Sequence, residues 1–194
     1  MSLAKLTEKM TGLTITPAVV GQNTNDNDTV LEVKNISRAG EYKDICFSIS
    51  RGEVVGIIGL LGAGRTELAL SLFGMTRPEL GQIYIDGKVV NFRSNQDAIA
   101  AGIAYVSEDR LSLGLVQAQS IENNLALTVL DKTLVFGGLL SLKKKKEIVD
   151  HWIDELDVKL GNVSDAISTL SGGNQQKIAI AKWLATNQKL LILY

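Results

Sequence analysis

Residues 54–66 read VVGIIGLLGAGRT, an apolar, β-branched run that passes into a glycine-rich turn. An uninterrupted apolar run of this kind is typical of a central strand that is covered on both faces. The residues after Thr66 have the apolar spacing of a helix, and Gly74 follows where that helix would end. The sequence therefore predicts a buried strand over 54–58, a tight loop, and a helix over 67–73.

The loop between that strand and helix matches the phosphate-binding pattern G-x-x-x-x-G-K-[ST] at every position except Arg65. Its glycines let successive N–H groups point into one concavity, and the start of the helix adds a positive end. Thr66 would place a hydroxyl on Mg²⁺. The candidate nucleotide-binding residues of this loop are Gly59, Leu61, Gly62, Ala63, Gly64, Arg65, Thr66 and Glu67.

Arg65 stands where the pattern has a lysine. Arginine keeps the positive charge, but its planar guanidinium is bulkier than the compact ammonium that reaches between the β- and γ-phosphates. We expect the shape of the loop to survive and its handling of the γ-phosphate to be weakened. The alternative is a glycine-rich strand-to-helix turn that binds no ligand.

Further strands and helices are predicted along the chain. Apolar runs predict strands over 30–33, 45–49, 103–106 and 190–193, and a hairpin over 82–88 that turns at Asp86-Gly87. Helical spacing recurs over 120–130, 142–156 and 174–186. Strands separated by helices predict an α/β core with a parallel sheet. Residues 1–29 contain a polar stretch without periodicity, and we expect a mobile linker there.

The composition excludes several classes of protein. The 194 residues carry 20 Lys plus Arg and 21 Asp plus Glu, and a net charge of −1 argues against a nucleic-acid partner. No apolar run approaches the ~18 residues that span a bilayer. The single cysteine, Cys46, forms no internal disulfide, so we expect a reducing, cytoplasmic setting.

A second glycine-rich motif, LSGGNQQK, spans residues 170–177. Its glycines allow close backbone approach, Ser171 offers a hydroxyl, and a helix that starts near Asn174 offers free N–H groups to an anion. A serine-capped helix start after a glycine pair would explain two or three of these residues, but not all eight.

With these two motifs in this order, the sequence resembles the nucleotide-binding domains of ABC transporters. The variants GAGRTE at 62–67, SEDR at 107–110 and LSGGNQQK resemble most the second, C-terminal ATP-binding domain of monosaccharide importers of the ribose, galactose and xylose type. The resemblance covers residues 4–194. It implies an α/β fold, in which a P-loop NTPase (RecA-like) core carries an antiparallel β subdomain and an α-helical subdomain.

The resemblance also divides the chain. It implies a linker over 1–29 and a nucleotide-binding domain over 30–194, with the helical subdomain over about 111–165. We expect this domain to be incomplete at its C-terminus, because the strand over 190–193 resembles the one that leads into the Walker B motif.

In this family two domains pack head to tail around two ATP molecules, and each ATP lies between the phosphate loop of one domain and the signature motif of the other. The resemblance therefore implies ATP and Mg²⁺ as cofactors. It assigns to an ATP held by a partner domain the residues Ser171, Gly172, Gly173 and Gln175. The site at Arg65 would be the degenerate one, with slow or no turnover.

Two positions depart from the family pattern. The Q-loop glutamine is Glu108 here, whose oxygens are still suited to Mg²⁺, so Thr66 and Glu108 are the candidate metal ligands. Tyr194 stands where the Walker B aspartate is expected. No catalytic set is complete, and we expect the chain alone to be inactive although the family consists of ATPases.

The resemblance implies two partners. They are the first nucleotide-binding domain of the same subunit, or a second copy, and a transmembrane permease subunit; a nucleic acid is not among them. The domain would lie peripherally on the cytoplasmic face of the inner (plasma) membrane. Two alternatives stay open: a non-hydrolytic regulatory or dimerisation module, and a soluble ABC ATPase outside transport.

Four further features are explained by ordinary packing or solvent exposure, and two of them also have a functional alternative. Tyr42 either stacks on adenine or packs at a strand edge. Lys143 to Lys146 form either a solvated helix face or a docking patch. His151 is expected on a helix surface, and Cys46 is expected to fill the core.

Overall fold

The computed structural model describes residues 28–135 and 138–194. The strands are β1 (Thr29–Arg38), β2 (Tyr42–Ser50), β3 (Leu80–Ile85), β4 (Lys88–Val90), β5 (Ile103–Val106), β6 (Leu134–Val135), β7 (Leu139–Leu140) and β8 (Leu190–Leu193). The helices are α1 (Arg65–Leu72), α2 (Asn95–Ala100), α3 (Ile121–Ala126), α4 (Leu142–Glu155) and α5 (Gly172–Leu184). The predicted linker over 1–29 lies outside the described residues except for its end, where Thr29 already begins β1.

Four strands form an antiparallel sheet in the order β2-β1-β3-β4. β1 lies between two neighbours, so that Leu31 is opposite Ile49 on β2 and Ile85 on β3. Asp86 and Gly87 join β3 to β4 with φ angles of 48° and 71°. Two successive positive φ angles are those of a tight hairpin turn, which confirms the hairpin predicted from this Asp-Gly pair.

A second, parallel pair of strands consists of β5 and β8. Ile103 is opposite Leu190 and Val106 is opposite Leu193, so both strands end at the same edge. Both strands were predicted from short apolar runs, and the structure confirms their bounds. The mixture of this pair, the antiparallel sheet and the helices is the expected α/β class.

The strand predicted over 54–58 is wrong, because these residues form neither helix nor strand. Val54 is 77% exposed and Ile58 is 94% exposed. No described strand pairs with this segment, and an apolar run without a neighbour to accept its hydrogen bonds does not form a sheet. Instead, Val55 and Ile57 line one wall of a cavity of about 310 Å³ whose other wall includes β8.

One hydrophobic core joins the sheets to the helices. Leu31 of β1, Ile103 of β5 and Ile178 of α5 are each at most 2% exposed. At its centre the ring of Phe73 lies 5.4 Å from that of Tyr105 and 5.7 Å from that of Trp183. These aromatic contacts tie the end of α1 to β5 and to the end of α5.

The interpretation of Cys46 as a core residue is wrong. Side chains alternate along β2, so that Ile45 and Phe47 pack on the core while Cys46 is exposed. The Cys46 thiol donates a hydrogen bond of 2.9 Å to the side chain of Asn35.

Residues 111–165 contain helices α3 and α4 and the short hairpin β6–β7, and they lie between β5 and α5 along the chain. The region begins with a π-helical turn at Arg110–Gly114. On α4, three of the four consecutive lysines are exposed, while Lys145 turns inward and lies 3.1 Å from Glu122. The lysine run is thus a solvated face with one buried member, and His151 on the same helix is exposed, as expected.

Among the described residues, no helix has the length and apolar character needed to cross a bilayer.

Candidate functional site

Two glycines of the phosphate-binding pattern adopt a backbone conformation that favours glycine. Gly62 and Gly64 have φ angles of 77° and 79°, which side-chain-bearing residues rarely adopt. A Cβ atom on Gly64 would lie 2.1 Å from the carbonyl oxygen of Glu41. That the loop keeps a phosphate-binding shape with an arginine at position 65 stays a prediction.

Helix α1 begins at Arg65, and its first turn points at the loop. Gly64 is the N-cap residue, and no side chain caps the helix. The first N–H groups of an uncapped helix lack intrahelical partners and carry its positive end. Leu60 and Leu61 are 85% and 100% exposed, so the loop is open to solvent. The arrangement is suited to binding a phosphate group.

Three parts of the chain meet at the edge where β5 and β8 end. The backbone N–H of Tyr194 donates a hydrogen bond of 3.1 Å to the carbonyl of Val106, just before Glu108. The Thr66 hydroxyl donates one of 2.8 Å to the hydroxyl of Tyr194. Arg65 and Tyr194 also line the same cavity of about 310 Å³. The parallel strands thereby bring the phosphate loop beside the residues that follow each strand, where α/β proteins commonly bind ligands.

The two candidate Mg²⁺ ligands differ in their surroundings. Glu108 is exposed, whereas the hydroxyl of Thr66 donates a hydrogen bond to the hydroxyl of Tyr194. Among the described residues, no three His, Cys, Asp or Glu side chains come together as a metal-binding group. The assignment of Mg²⁺ to Thr66 and Glu108 stays a prediction.

Two tyrosines near the loop belong to the core. Tyr42 is 8% exposed, and its hydroxyl donates a hydrogen bond of 2.7 Å to Ser71. Its ring is therefore not offered to an adenine, and packing at the strand is the interpretation that agrees with the structure. Burial raises the pKa of the Tyr105 phenol, which lies on β5 behind Tyr194.

The signature motif presents an exposed helix start. Ser171 is the N-cap residue of α5, but its side chain makes no capping hydrogen bond. Ser171, Gly172 and Gly173 are exposed, and a Cβ on Gly173 would meet no atom within 4 Å. Free N–H groups, an unused hydroxyl and two glycines therefore form one open surface at the positive end of a helix.

Gln175 differs from the rest of the predicted signature set because its side chain turns inward. It is 8% exposed, and its amide donates a hydrogen bond of 3.0 Å to the carbonyl of Leu170. The expectation that this side chain contacts a partner's ATP is not supported by its position. Gln175 instead fixes the turn that leads into the helix.

The structure does not bring the two motifs together. Among the described residues, no hydrogen bond or ion pair joins the phosphate loop to residues 171–175. Their helices touch through Phe73 and Trp183, at the C-terminal ends, whereas both motifs lie at the N-terminal ends.

Two features of the structure were not predicted. One is the contact between Thr66 and Tyr194, which are 128 positions apart and meet only through the parallel pairing of β5 and β8. The other is Lys182 on α5, which is buried and donates to the carbonyl of Gly114 in the π-helical turn. A lysine on the inner face of an amphipathic helix was the one signal available for Lys182.

Comparison with known proteins supplies the family. The family model described as ABC transporter matches residues 42–193. A ribose import ATP-binding protein of Streptomyces avermitilis is 40% identical over 188 residues, which are 97% of this chain and 37% of that protein. A ribose import ATP-binding protein of Halalkalibacterium halodurans is 43% identical over 166 residues, 86% of this chain and 33% of that protein. The chain thus spans about a third of the length of these relatives.

Solved structures agree on the fold. The protein cbiO1 from Clostridium perfringens, part of the ABC transporter complex cbiONQ, superposes with a TM-score of 0.67 at 25% identity, over 86% of this chain and 65% of that one. A dimeric ATP-binding cassette in a post-hydrolysis state with ADP and Pi superposes with a TM-score of 0.68 at 22% identity, over 84% and 72%. The predicted P-loop NTPase fold with an antiparallel β part is confirmed. With a family match over most of its length and relatives of 40% identity or more, this chain belongs to the ABC transporter family.

Proposed function

We propose that this chain is an ATP-binding, energy-coupling domain of a sugar importer, and that it corresponds to the second domain of such an ATP-binding subunit. Two relatives are named ribose import ATP-binding proteins, which supports a sugar as the transported substrate. The two glycine-rich motifs support a role in ATP binding and energy coupling. ABC ATPase domains bind ATP, generally with Mg²⁺. The domain would lie at the cytoplasmic face of the membrane, held there by a permease subunit.

The observation that carries this proposal is the open start of α5. Ser171 and Gly173 face solvent, and neither is bonded to the phosphate loop of the same chain among the described residues. An exposed helix start that offers free N–H groups, and that contacts no part of the phosphate loop among the described residues, is suited to a phosphate brought by another molecule. The signature motif therefore acts in trans on an ATP that a partner domain holds, and stabilises the charge that moves during hydrolysis.

The chain's own loop would bind nucleotide with little turnover. Its backbone supplies the phosphate cradle, and Arg65 supplies a positive charge at its rim. A guanidinium binds phosphate oxygens through two parallel hydrogen bonds, which favours binding, but it differs in shape from the lysine of consensus loops.

A groove in the helical region supports docking of a permease. Its volume is about 380 Å³, and its lining is mostly apolar. Three of the lining side chains, Val116, Leu127 and Leu130, are 48%, 49% and 43% exposed. Exposed apolar side chains of this kind mark interaction sites. The groove lies in the segment that follows β5 and Glu108 along the chain, and a permease segment would bind there.

Equilibrium binding of a fluorescent ATP analogue, displaced by ATP, tests the nucleotide site. We expect the chain to bind the analogue, and Arg65→Ala to weaken binding about tenfold, the loss of a charge-assisted hydrogen-bond pair. Arg51→Ala is the matched control, because Arg51 is an exposed arginine that pairs with Asp28. The proposal is contradicted if a folded chain does not bind, or if both variants bind as tightly as the unaltered chain.

A further inference from the structure

An exposed apolar patch surrounds the short hairpin β6–β7. The hydrogen bond of 2.9 Å from the Ser141 N–H to the carbonyl of Thr133 holds the start of α4 beside this hairpin. Four large apolar side chains of the hairpin and of the first α4 residue are between 41% and 72% exposed. These residues, which we call the hairpin patch, are Leu134, Val135, Leu139 and Leu142. Exposed apolar side chains that cluster in this way mark a surface that contacts another molecule.

Helix α4 begins with lysines at the end where a helix least favours them. Lys143 to Lys146 come directly after Leu142, and the first turn of α4 contains no acidic residue. The N-terminal end of a helix carries a partial positive charge, so each lysine there lowers the stability of the helix. A residue choice that costs stability without a local gain is typical of a functional surface. The lysines therefore point to a negatively charged partner.

Two of these four lysines have no carboxylate partner among the described residues. Glu122 and Asp150 pair with the other two, at nitrogen–oxygen distances of 3.1 Å and 2.6 Å. Lys143 and Lys144 are exposed, and the ion pairs of the described residues include neither of them. The Lys144 ammonium donates a hydrogen bond of 3.3 Å to the carbonyl of Leu134, so its charge lies at the edge of the hairpin patch. Apolar side chains and uncompensated positive charge therefore share one surface.

A surface with both properties matches the chemistry of an anionic bilayer. The boundary between the headgroups and the acyl chains accepts apolar side chains, and anionic headgroups attract lysines beside them. The groove proposed for a permease segment adjoins the patch, because Leu140 of β7 lines that groove. Contacts with a permease and with lipid would therefore lie on one face of the domain.

We propose that the hairpin patch, together with Lys143 and Lys144, binds the surface of an anionic phospholipid bilayer. The four apolar side chains enter the boundary below the headgroups, and the two ammonium groups remain among the anionic headgroups. This contact goes beyond the proposed function, since it needs neither a nucleotide nor a permease. It gives the domain a direct hold on the membrane.

Co-sedimentation with lipid vesicles at about 0.1 M salt, where charges act over about 10 Å, tests the role of the lysines. We expect the chain to bind mixed vesicles of phosphatidylglycerol and phosphatidylcholine at least about tenfold more tightly than vesicles of phosphatidylcholine alone. Lys143→Gln combined with Lys144→Gln should weaken binding to the mixed vesicles about 30-fold, because each lysine near such a surface contributes about fivefold. Lys43→Gln combined with Lys88→Gln is the matched control, because both lysines are exposed on the four-stranded sheet, and binding should change less than about twofold.

The same assay tests the apolar side chains. Leu139→Ser combined with Leu142→Ser should weaken binding to the mixed vesicles about tenfold or more, because two leucines no longer leave water. Leu80→Ser combined with Val89→Ser is the control, because these side chains are 66% and 56% exposed on the four-stranded sheet, and it should bind as the unaltered chain does. All of these substitutions replace exposed side chains, and circular dichroism checks that each variant is folded.

A folded chain that does not sediment with the mixed vesicles overturns this inference and leaves the hairpin patch to a protein partner. Equal weakening by the patch variants and by their controls overturns it as well, because binding would then not depend on this surface. The ATP analogue is measured without lipid, so neither result changes the proposed nucleotide site. Vesicle binding by a chain that does not bind the analogue would overturn the nucleotide site alone.

Discussion

Gly64 has no room for a side chain and adopts a backbone conformation that favours glycine. Its φ is +79°, and an added Cβ would lie 2.1 Å from the carbonyl oxygen of Glu41. Gly52 has nearly the same φ, +76°, but a Cβ there would meet no atom within 4 Å. The two glycines therefore separate the cost of backbone conformation from the cost of a clash.

We expect Gly64→Ala to lower the free energy of unfolding by about 3 kcal/mol or more, and Gly52→Ala by about 1 kcal/mol. Urea denaturation of both variants measures the difference. Equal losses in the two variants would show that β2 moves away and that the close approach to Glu41 does not constrain the loop.

Lys182 is a buried lysine whose ammonium donates to the carbonyl of Gly114 and lies 5.5 Å from the ring of Trp183. Burial lowers the pKa of Lys182 from its usual 10.5. Between the lowered pKa and 10.5 the unfolded chain binds more protons than the folded chain. The contribution of Lys182 to stability therefore rises with pH across that window, and its buried charge opposes folding in full below it.

Lys182→Met should flatten this part of the pH profile. We expect the stability of the unaltered chain, relative to Lys182→Met, to increase from pH 7 to about pH 10, as measured by urea denaturation. Lys143→Met is the control, since Lys143 is exposed on α4 and its removal should leave the profile unchanged. A flat difference for Lys182→Met would show that its charge is as well solvated as that of Lys143.

At the scale of the element, residues 54–58 behave differently from β5. Both are short apolar runs, but Ile58 is 94% exposed whereas Ile103 is 2% exposed. β5 has β8 beside it, and the described residues provide no such neighbour for the segment before the phosphate loop. Burial of a strand depends on the strand beside it, not on its own residues.

We expect Ile58→Ala to change the free energy of unfolding by less than about 0.5 kcal/mol and Ile103→Ala to lower it by about 2–4 kcal/mol. The same substitution at the two sites, followed by urea denaturation, measures the difference. A loss at Ile58 as large as that at Ile103 would mean that residues 54–58 form a buried strand, as their sequence alone predicts.

Sequence pattern predicts an element well when the cause of its structure is local. The Asp86-Gly87 turn, strand β5 and the helix after Gly64 follow from turn chemistry, apolar runs and helical spacing. The inward turn of Gln175 and the outward turn of Cys46 depend on which neighbour each element packs against. The contact of Tyr194 with Thr66 depends on strand pairing, so no local sequence pattern predicts it.

At the scale of the whole molecule, the phosphate loop lies at the N-terminal end of α1 and the signature motif lies at the N-terminal end of α5. Among the hydrogen bonds, ion pairs and ring contacts of the described residues, these two helices touch only through Phe73 and Trp183. This separation supports the proposal that the domain completes no ATP site by itself. In the proposed assembly its signature motif faces the ATP of a partner domain, while Arg65 lies at the chain's own phosphate loop.

The most direct measurement is the ATP turnover of the assembled importer with Gly173→Asp in this domain. An aspartate at Gly173 would put a negative charge into the open surface that receives the partner's phosphate. We expect turnover to fall at least about 100-fold, the loss of one or more transition-state contacts. Gly87→Asp, at another exposed glycine with no atom within 4 Å, should stay within about twofold of the unaltered importer. Equal turnover in the two variants would contradict the trans role of the signature motif.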